Sequence, residues 1–205
     1  MHGRYPLFYR MDFHIRADAD PKSLALLPGA FNPPTRAHLA MAESALNVVD
    51  EVVFLLPRAF PHKEYSGACF ETRVEWLRAA LASNPRFSLA SSDRGLFIDL
   101  AREARIHYGA GVELFVLCGR DAAERIVNWD YAGGDSIEKQ LEVYQLLVAS
   151  RGGHYRAPRQ IRNRVRSIGL PPGLEQISSS EVRRRIDAGE KWRHLVPDQV
   201  ALLIG

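Results

Sequence analysis

The stretch LALLPGAFNPPTRAHLAMAESAL, residues 24–46, decides the fold. Residues 24–27 are an unbroken apolar run ending at Pro28-Gly29, the pattern of a buried strand closed by a tight turn. Residues 38–46 are alanine-rich with helical spacing. The turn between them lies where a strand hands over to a helix, a place where backbone N–H groups face an anion. It is not a Walker loop, because no Gly-Lys-Ser/Thr follows.

Outward from this unit the pattern repeats. Residues 51–56 (EVVFLL) predict a second buried strand stopped by Pro57, and residues 70–82 an amphipathic helix with Val74, Leu77 and Leu81 on one face. Residues 87–90 predict a short strand and 96–108 a helix. Residues 112–118 (VELFVLC) predict a fourth strand stopped by Gly119, and 143–149 a fifth. Strands alternating with helices imply an α/β fold with a Rossmann-like parallel sheet and helices on both faces. Ligands of such sheets bind beyond the carboxyl ends of the strands, near the switch point. Residues 29–35 and 119–121 fall at that edge. Residues 177–190 (ISSSEVRRRIDAGE) predict a serine-capped helix. Pro197 opens a last short one, with Val200, Leu203 and Ile204 available for docking, so the chain ends in a small helical segment. Residues 23–205 read as one domain. Residues 1–22 read as an N-terminal arm whose weak alternation at 8–15 fits an edge strand or merely an ordered arm.

With 205 residues, 46% apolar and 25% charged, the chain has the composition of a soluble globular protein. A net charge of +3 suits an anionic small molecule as well as nucleic acid. Cys69 and Cys118 both sit in apolar sequence and outside any C-x-x-C pair, against a disulfide framework or a zinc site. The first 22 residues have no apolar signal region, and no apolar run reaches the ~20 residues of a membrane span. A cytoplasmic location with no membrane partner is the expectation.

Several groups can carry chemistry. Thr35 and His38, three apart on a first helical turn, face the same way and can hold two oxygens of one polyphosphate. Gly29 lets the backbone approach a ligand. Bland alternatives are a helix cap and a surface histidine. Ser178, Ser179 and Ser180, with Arg183 one turn in, offer hydroxyls, free N–H groups and a planar fork to an anion, or simply a capping box with a solvated basic face. Gly119-Arg120-Asp121 followed by Trp129 offers a carboxylate to ribose hydroxyls and an indole to a heteroaromatic base, or else a cap and a core residue. Lys63 in Pro61-His62-Lys63 is a mobile charge suited to phosphate, or a solvated loop lysine. Residues 151–166 hold six Arg, no acid and one aromatic, Tyr155. A solvated loop is the expected reading, and nucleic acid is not an expected partner. No nucleophile elbow and no H-E-x-x-H point to covalent or zinc catalysis.

From residue 24 to the C-terminus these motifs resemble the nicotinate/nicotinamide mononucleotide adenylyltransferases of the T/H-x-x-H nucleotidyltransferase superfamily. GAFNPPTRAH is similar to the family's G-x-F-[ND]-P-x-[HT]-x-x-H signature, and ISSSEVR to its I-S-S-[ST]-x-[IV]-R signature. The resemblance implies transfer of AMP from ATP to a mononucleotide phosphate, with release of pyrophosphate, in NAD biosynthesis. It implies Mg²⁺ accompanying ATP and no side chain given over to the metal. By the same resemblance Gly29, Ala30 and Phe31 lie along the nucleotide, and Thr35 and His38 contact the triphosphate. Lys63 contacts substrate or phosphate, Gly119 and Asp121 serve the ATP ribose and adenine, and Trp129 stacks near the pyridine ring. Ser180, Glu181, Val182 and Arg183 form the phosphate clamp with Ser179 adjacent; His38, Thr35, Arg183 and Lys63 are the expected catalytic set. Thr35 stands where many bacterial members have His, and Arg36-Ala37 where Gly often precedes the last His. Residues 95–100 (GLFIDL) lack the Ser/Trp/Thr pattern used beside the nicotinoyl group. Other phosphorylated acceptors, such as phosphopantetheine, therefore stay open, as do a cytidylyltransferase and a non-catalytic nucleotide-binding homologue. Oligomeric state also stays open, a homo-oligomer included.

Overall fold

The computed structural model describes residues 11–18, 20–58, 65–129, 131, 134–150, 155–174 and 176–205. The elements, in chain order, are β1 (Met11–Ile15), β2 (Ser23–Pro28), α1 (Arg36–Ala45), β3 (Glu51–Pro57), α2 (Phe70–Leu81) and β4 (Phe87–Ser92). They continue through α3 (Phe97–Tyr108), β5 (Glu113–Gly119), α4 (Arg120–Val127), α5 (Ile137–Gln140), β6 (Gln145–Ser150), β7 (Val165–Gly169), α6 (Ser179–Asp187) and α7 (Asp198–Ile204). The strands form one sheet in the order β1-β4-β3-β2-β5-β6-β7. Every pairing is parallel except β1 with β4.

This is a Rossmann-like sheet. Its order reverses between β2 and β5, so their carboxyl ends, at Pro28 and Gly119, flank the switch point. The apolar runs exist because the central strands are buried on both faces. Ala25, Leu27, Val52, Phe54, Leu56, Phe115 and Leu117 pack on one side with Met41, Leu77, Val182 and Val200 from α1, α2, α6 and α7. Their neighbours Leu24, Leu26, Val53, Leu55, Leu114 and Val116 pack on the other with Leu100, Ala104, Ala123 and Ile137 from α3, α4 and α5.

Part of the N-terminal arm is strand. β1 lies antiparallel on β4 at the sheet's edge, where Phe13 meets the Tyr108 ring edge-on and Ala17 N–H donates to Ser88 Oγ. Part of the arginine-rich stretch is strand too. β7 closes the other edge, and Arg166 pairs with Glu113 at 2.9 Å and lies over the Phe115 ring. The C-terminal helix docks through Val200 and Ala201, whereas Leu203 is 43% exposed. Cys118 is buried, as its sequence surroundings imply, but Cys69 is exposed because it sits in the cap position of α2. No helix among the described residues is long and apolar enough to cross a membrane.

Candidate active site

The turn after β2 is held under strain. Phe31 adopts φ 47°, a left-handed conformation costly for a bulky residue by about 1–3 kcal/mol. The surroundings enforce it. Phe31 is buried, its ring 5.6 Å from Phe54 and 5.2 Å from the His38 imidazole. Gly29 provides the space: a Cβ there would stand 2.9 Å from the Phe31 ring. Glycine at this position thus leaves room for the Phe31 ring.

Thr35 caps α1 and fixes His38. Its backbone N–H donates to His38 Nδ1 at 3.0 Å and its hydroxyl meets the same nitrogen at 2.7 Å. Because a backbone N–H can only donate, Nδ1 is an acceptor, and the proton of the neutral ring resides on Nε2. Thr35 itself is fully buried, so its hydroxyl serves His38 rather than a ligand oxygen. The i, i+3 spacing brought the two side chains together, and they satisfied each other.

The second motif arrives from 146 residues away. Ser179 Oγ donates to the Pro33 carbonyl at 2.8 Å. Arg183 Nη1 donates to the Asn32 carbonyl at 2.6 Å, and Nη2 reaches Ser180 Oγ at 3.4 Å. Ser178 is the N-cap of α6, its hydroxyl accepting from the Glu181 N–H. A cleft of about 390 Å³ lies between the two motifs. Ala30, Phe31, Asn32 and His38 line one wall, Ser179, Ser180 and Arg183 the other, and Tyr65 and Ser66 its rim. Among the described residues, the lining holds no carboxylate. It combines an arginine, a proton-bearing imidazole and the N-terminus of α6, whose first N–H groups lack intrahelical acceptors. Such a donor set takes an anion.

Other expected residues lie elsewhere. The Val182 side chain is in the core. The Glu181 carboxylate is bound by Arg184 and Arg185, whose hydrogen bonds lower its pKa to about 2. Gly119 caps α4 at the same sheet edge and Asp121 is exposed in its first turn, but neither lines this cleft. Trp129, 44% exposed, lines a separate apolar cleft with Leu96, Phe97 and Ile126. Lys63 lies outside the described residues.

Three supporting residues escaped the sequence reading. Asn32 is buried, with its amide donating to Ser66 O and its Oδ1 accepting from the Ala68 N–H. Gly67 permits this: with φ +140°, a Cβ there would fall 1.8 Å from Asn32 Nδ2. Arg73 is buried on α2, donating to the Ala30 carbonyl at 3.0 Å and stacking 4.1 Å from the Tyr65 ring. Burial lowers the Arg73 pKa and raises that of Tyr65. An arginine on the apolar face of α2, next to Val74, was the available signal.

Known proteins share this arrangement of sequence. The model of the cytidylyltransferase-like family matches residues 26–185, and the chain belongs to that family. Among its relatives is the probable nicotinate-nucleotide adenylyltransferase of Exiguobacterium sibiricum, 30% identical over 88% of this chain and 95% of the relative. The protein of the same description from Citrifermentans bemidjiense is 30% identical over 86% and 93%. The fold is that of the Plasmodium falciparum nicotinic acid mononucleotide adenylyltransferase complexed with NaAD, with a TM-score of 0.69 at 20% identity, covering 89% of this chain and 94% of that one.

Proposed function

We propose that this protein is an adenylyltransferase that joins AMP from ATP to the phosphate of a pyridine mononucleotide and releases pyrophosphate, a step of NAD biosynthesis. The observation that carries the reading is the contact between the two motifs, Arg183 on Asn32 O and Ser179 on Pro33 O, which makes one anion-binding cleft from segments at opposite ends of the domain formed by residues 23–205. The names of the relatives supply the acceptor class.

A phosphate monoester is already a nucleophile at pH 7, so the reaction needs positioning and charge stabilisation more than a strong base. An acceptor phosphate oxygen attacks the α-phosphorus, the bond to the bridging oxygen breaks, and pyrophosphate leaves. His38, through Nε2–H, and the Arg183 guanidinium neutralise the charge that builds on the phosphoryl oxygens. The α6 N-terminus and Ser180 hold the chain of phosphates. Thr35 acts through His38 by fixing its tautomer and orientation. Lys63, outside the described residues, adds a positive charge for the phosphates. Gly119 and Asp121, beside the switch point, take the ATP ribose and base, and Trp129 faces the acceptor ring. Magnesium would accompany the triphosphate and offset its charge, bound mainly through the phosphates; among the described residues the cleft lining offers no carboxylate to hold it. A cytoplasmic location fits these soluble substrates.

The test is a panel of nucleoside triphosphates against nicotinate mononucleotide, nicotinamide mononucleotide and phosphopantetheine, read as pyrophosphate release. Turnover with ATP and a pyridine mononucleotide supports the reading. Turnover confined to phosphopantetheine or to CTP, or nucleotide binding without release, contradicts it.

A further inference from the structure

The arginines between β6 and β7 lack the carboxylates that other arginines of this chain find. Arg36 pairs with Asp198, Arg102 with Asp135 and Arg120 with Glu124, each at 2.7 Å. Arg156, Arg159, Arg162 and Arg164 are exposed and form no ion pair with any described residue. No acidic residue occurs from 151 to 174. Four like charges within nine residues repel one another, and an anion among them relieves that repulsion.

The segment is nonetheless built rather than loose. Ala157 and Ile161 are buried against the sheet face that α3, α4 and α5 cover. The Tyr155 N–H donates to Ser150 Oγ at 3.0 Å, the Ile161 N–H to the Pro158 carbonyl at 3.1 Å, and the Arg164 N–H to the Ile161 carbonyl at 2.9 Å. A cleft of about 340 Å³ lies here, lined by Tyr155, Arg156, Ala157, Arg162 and Val165. Two arginines thus border one cavity whose other walls are an aromatic and two aliphatic side chains. Phe31 and Val182, which mark the catalytic cleft, pack on the opposite face of the sheet.

We propose that this cleft is a second binding site that takes a nucleoside phosphate, with Arg156 and Arg162 clasping the phosphate and the Tyr155 wall taking the base. Planar guanidinium forks match phosphate oxygens, and an aromatic wall suits a heteroaromatic ring. The size suits one small molecule, and a single aromatic gives no track for a strand of several bases. The inference goes beyond the reaction proposed above and does not depend on it.

The experiment is a calorimetric titration of the full-length protein with AMP and, separately, with inorganic phosphate. Arg183→Ala, which removes a cation of the catalytic cleft, is compared with the same variant also carrying Arg156→Gln and Arg162→Gln. Arg183→Ala should bind one equivalent of AMP about 5–100-fold more tightly than inorganic phosphate, the gain from stacking one base. The added substitutions should weaken AMP binding about 10–100-fold, the cost of losing hydrogen bonds to a charged group. Both arginines are exposed, so the melting temperature should not change. In the wild-type background the same two substitutions should leave pyrophosphate release within about twofold. No AMP binding, binding that survives the added substitutions, or equal affinity for AMP and inorganic phosphate overturns the proposal. So does tighter, steeply salt-dependent binding of a uridine decamer, which would make the segment an RNA surface. A loss of pyrophosphate release also overturns it, because the arginines would then belong to the catalytic cleft. The titration reads binding alone, so it stands whether or not the protein catalyses the proposed reaction.

Discussion

A methyl group at Gly29 reports on how His38 is held. Gly29→Ala drives a Cβ against the Phe31 ring, which is packed between Phe54 and His38. Overpacking of this kind costs about 1–3 kcal/mol, so the melting temperature should fall by roughly 2–10 °C, and kcat should fall because the imidazole moves. His38→Ala separates the two effects. It should leave the KM for ATP nearly unchanged while lowering kcat about 10²–10³-fold, the magnitude for removing one donor to a charged transition state. Unchanged turnover in that variant would rule out the assigned role. The thiols make a separate test: Cys69 should react readily with a thiol reagent, whereas Cys118, buried and with its pKa pushed up to about 12, should react after unfolding. At this scale the sequence showed which residues meet but not how. Spacing placed Thr35 beside His38, yet a hydroxyl can face a ligand or an imidazole, and burial decided in favour of the imidazole.

Helix α6 is an element with two separable jobs, a tie and an ion-pair cluster. Ser179→Ala removes the bond to Pro33 O and should cost about 1 kcal/mol, with a several-fold rise in the KM for ATP as the cleft loosens. Glu181 carries the cluster. Hydrogen bonds from Arg184 and Arg185 hold its folded pKa near 2, below the ordinary 4.5. Its stabilising contribution is therefore present above about pH 4.5 and is lost as pH falls toward 2. Glu181→Gln should flatten that acid limb in melts between about pH 2 and 6, with no matching change at neutral pH in the slope of stability against pH. The elements themselves were unequally legible. β2, β3 and β5 announce themselves because burial on both faces requires continuous apolar residues. β1 and β7 are edge strands with one open side, so their sequences, MDFHI and VRSIG, carry charge and no clear period. Arg166, at the end of the arginine-rich stretch, hid the start of a strand inside what read as a basic loop.

Across the whole molecule, the parallel sheet places the ends of distant segments along one edge, and two helix N-termini then meet over a single cleft. ATP should therefore act as a staple between the turn after β2 and α6. At about 100 times its Kd it should add about 2.7 kcal/mol of stability, raising the melting temperature by roughly 5–10 °C. Arg183→Ala should abolish most of that rise. The parallel sheet, with residues 29–35 and 119–121 at its switch-point edge, followed from alternating elements; the order of strands did not, and the pairing of the two motifs came from the family resemblance. The support beneath the motifs followed from neither, because Asn32, Gly67 and Arg73 belong to loops and helices whose approach depends on tertiary packing. A structure of the protein with a non-hydrolysable ATP analogue tests the central claim most directly. Phosphate oxygens within hydrogen-bonding distance of both His38 Nε2 and the Ser180–Arg183 corner are the predicted result; a triphosphate bound away from either corner would contradict it.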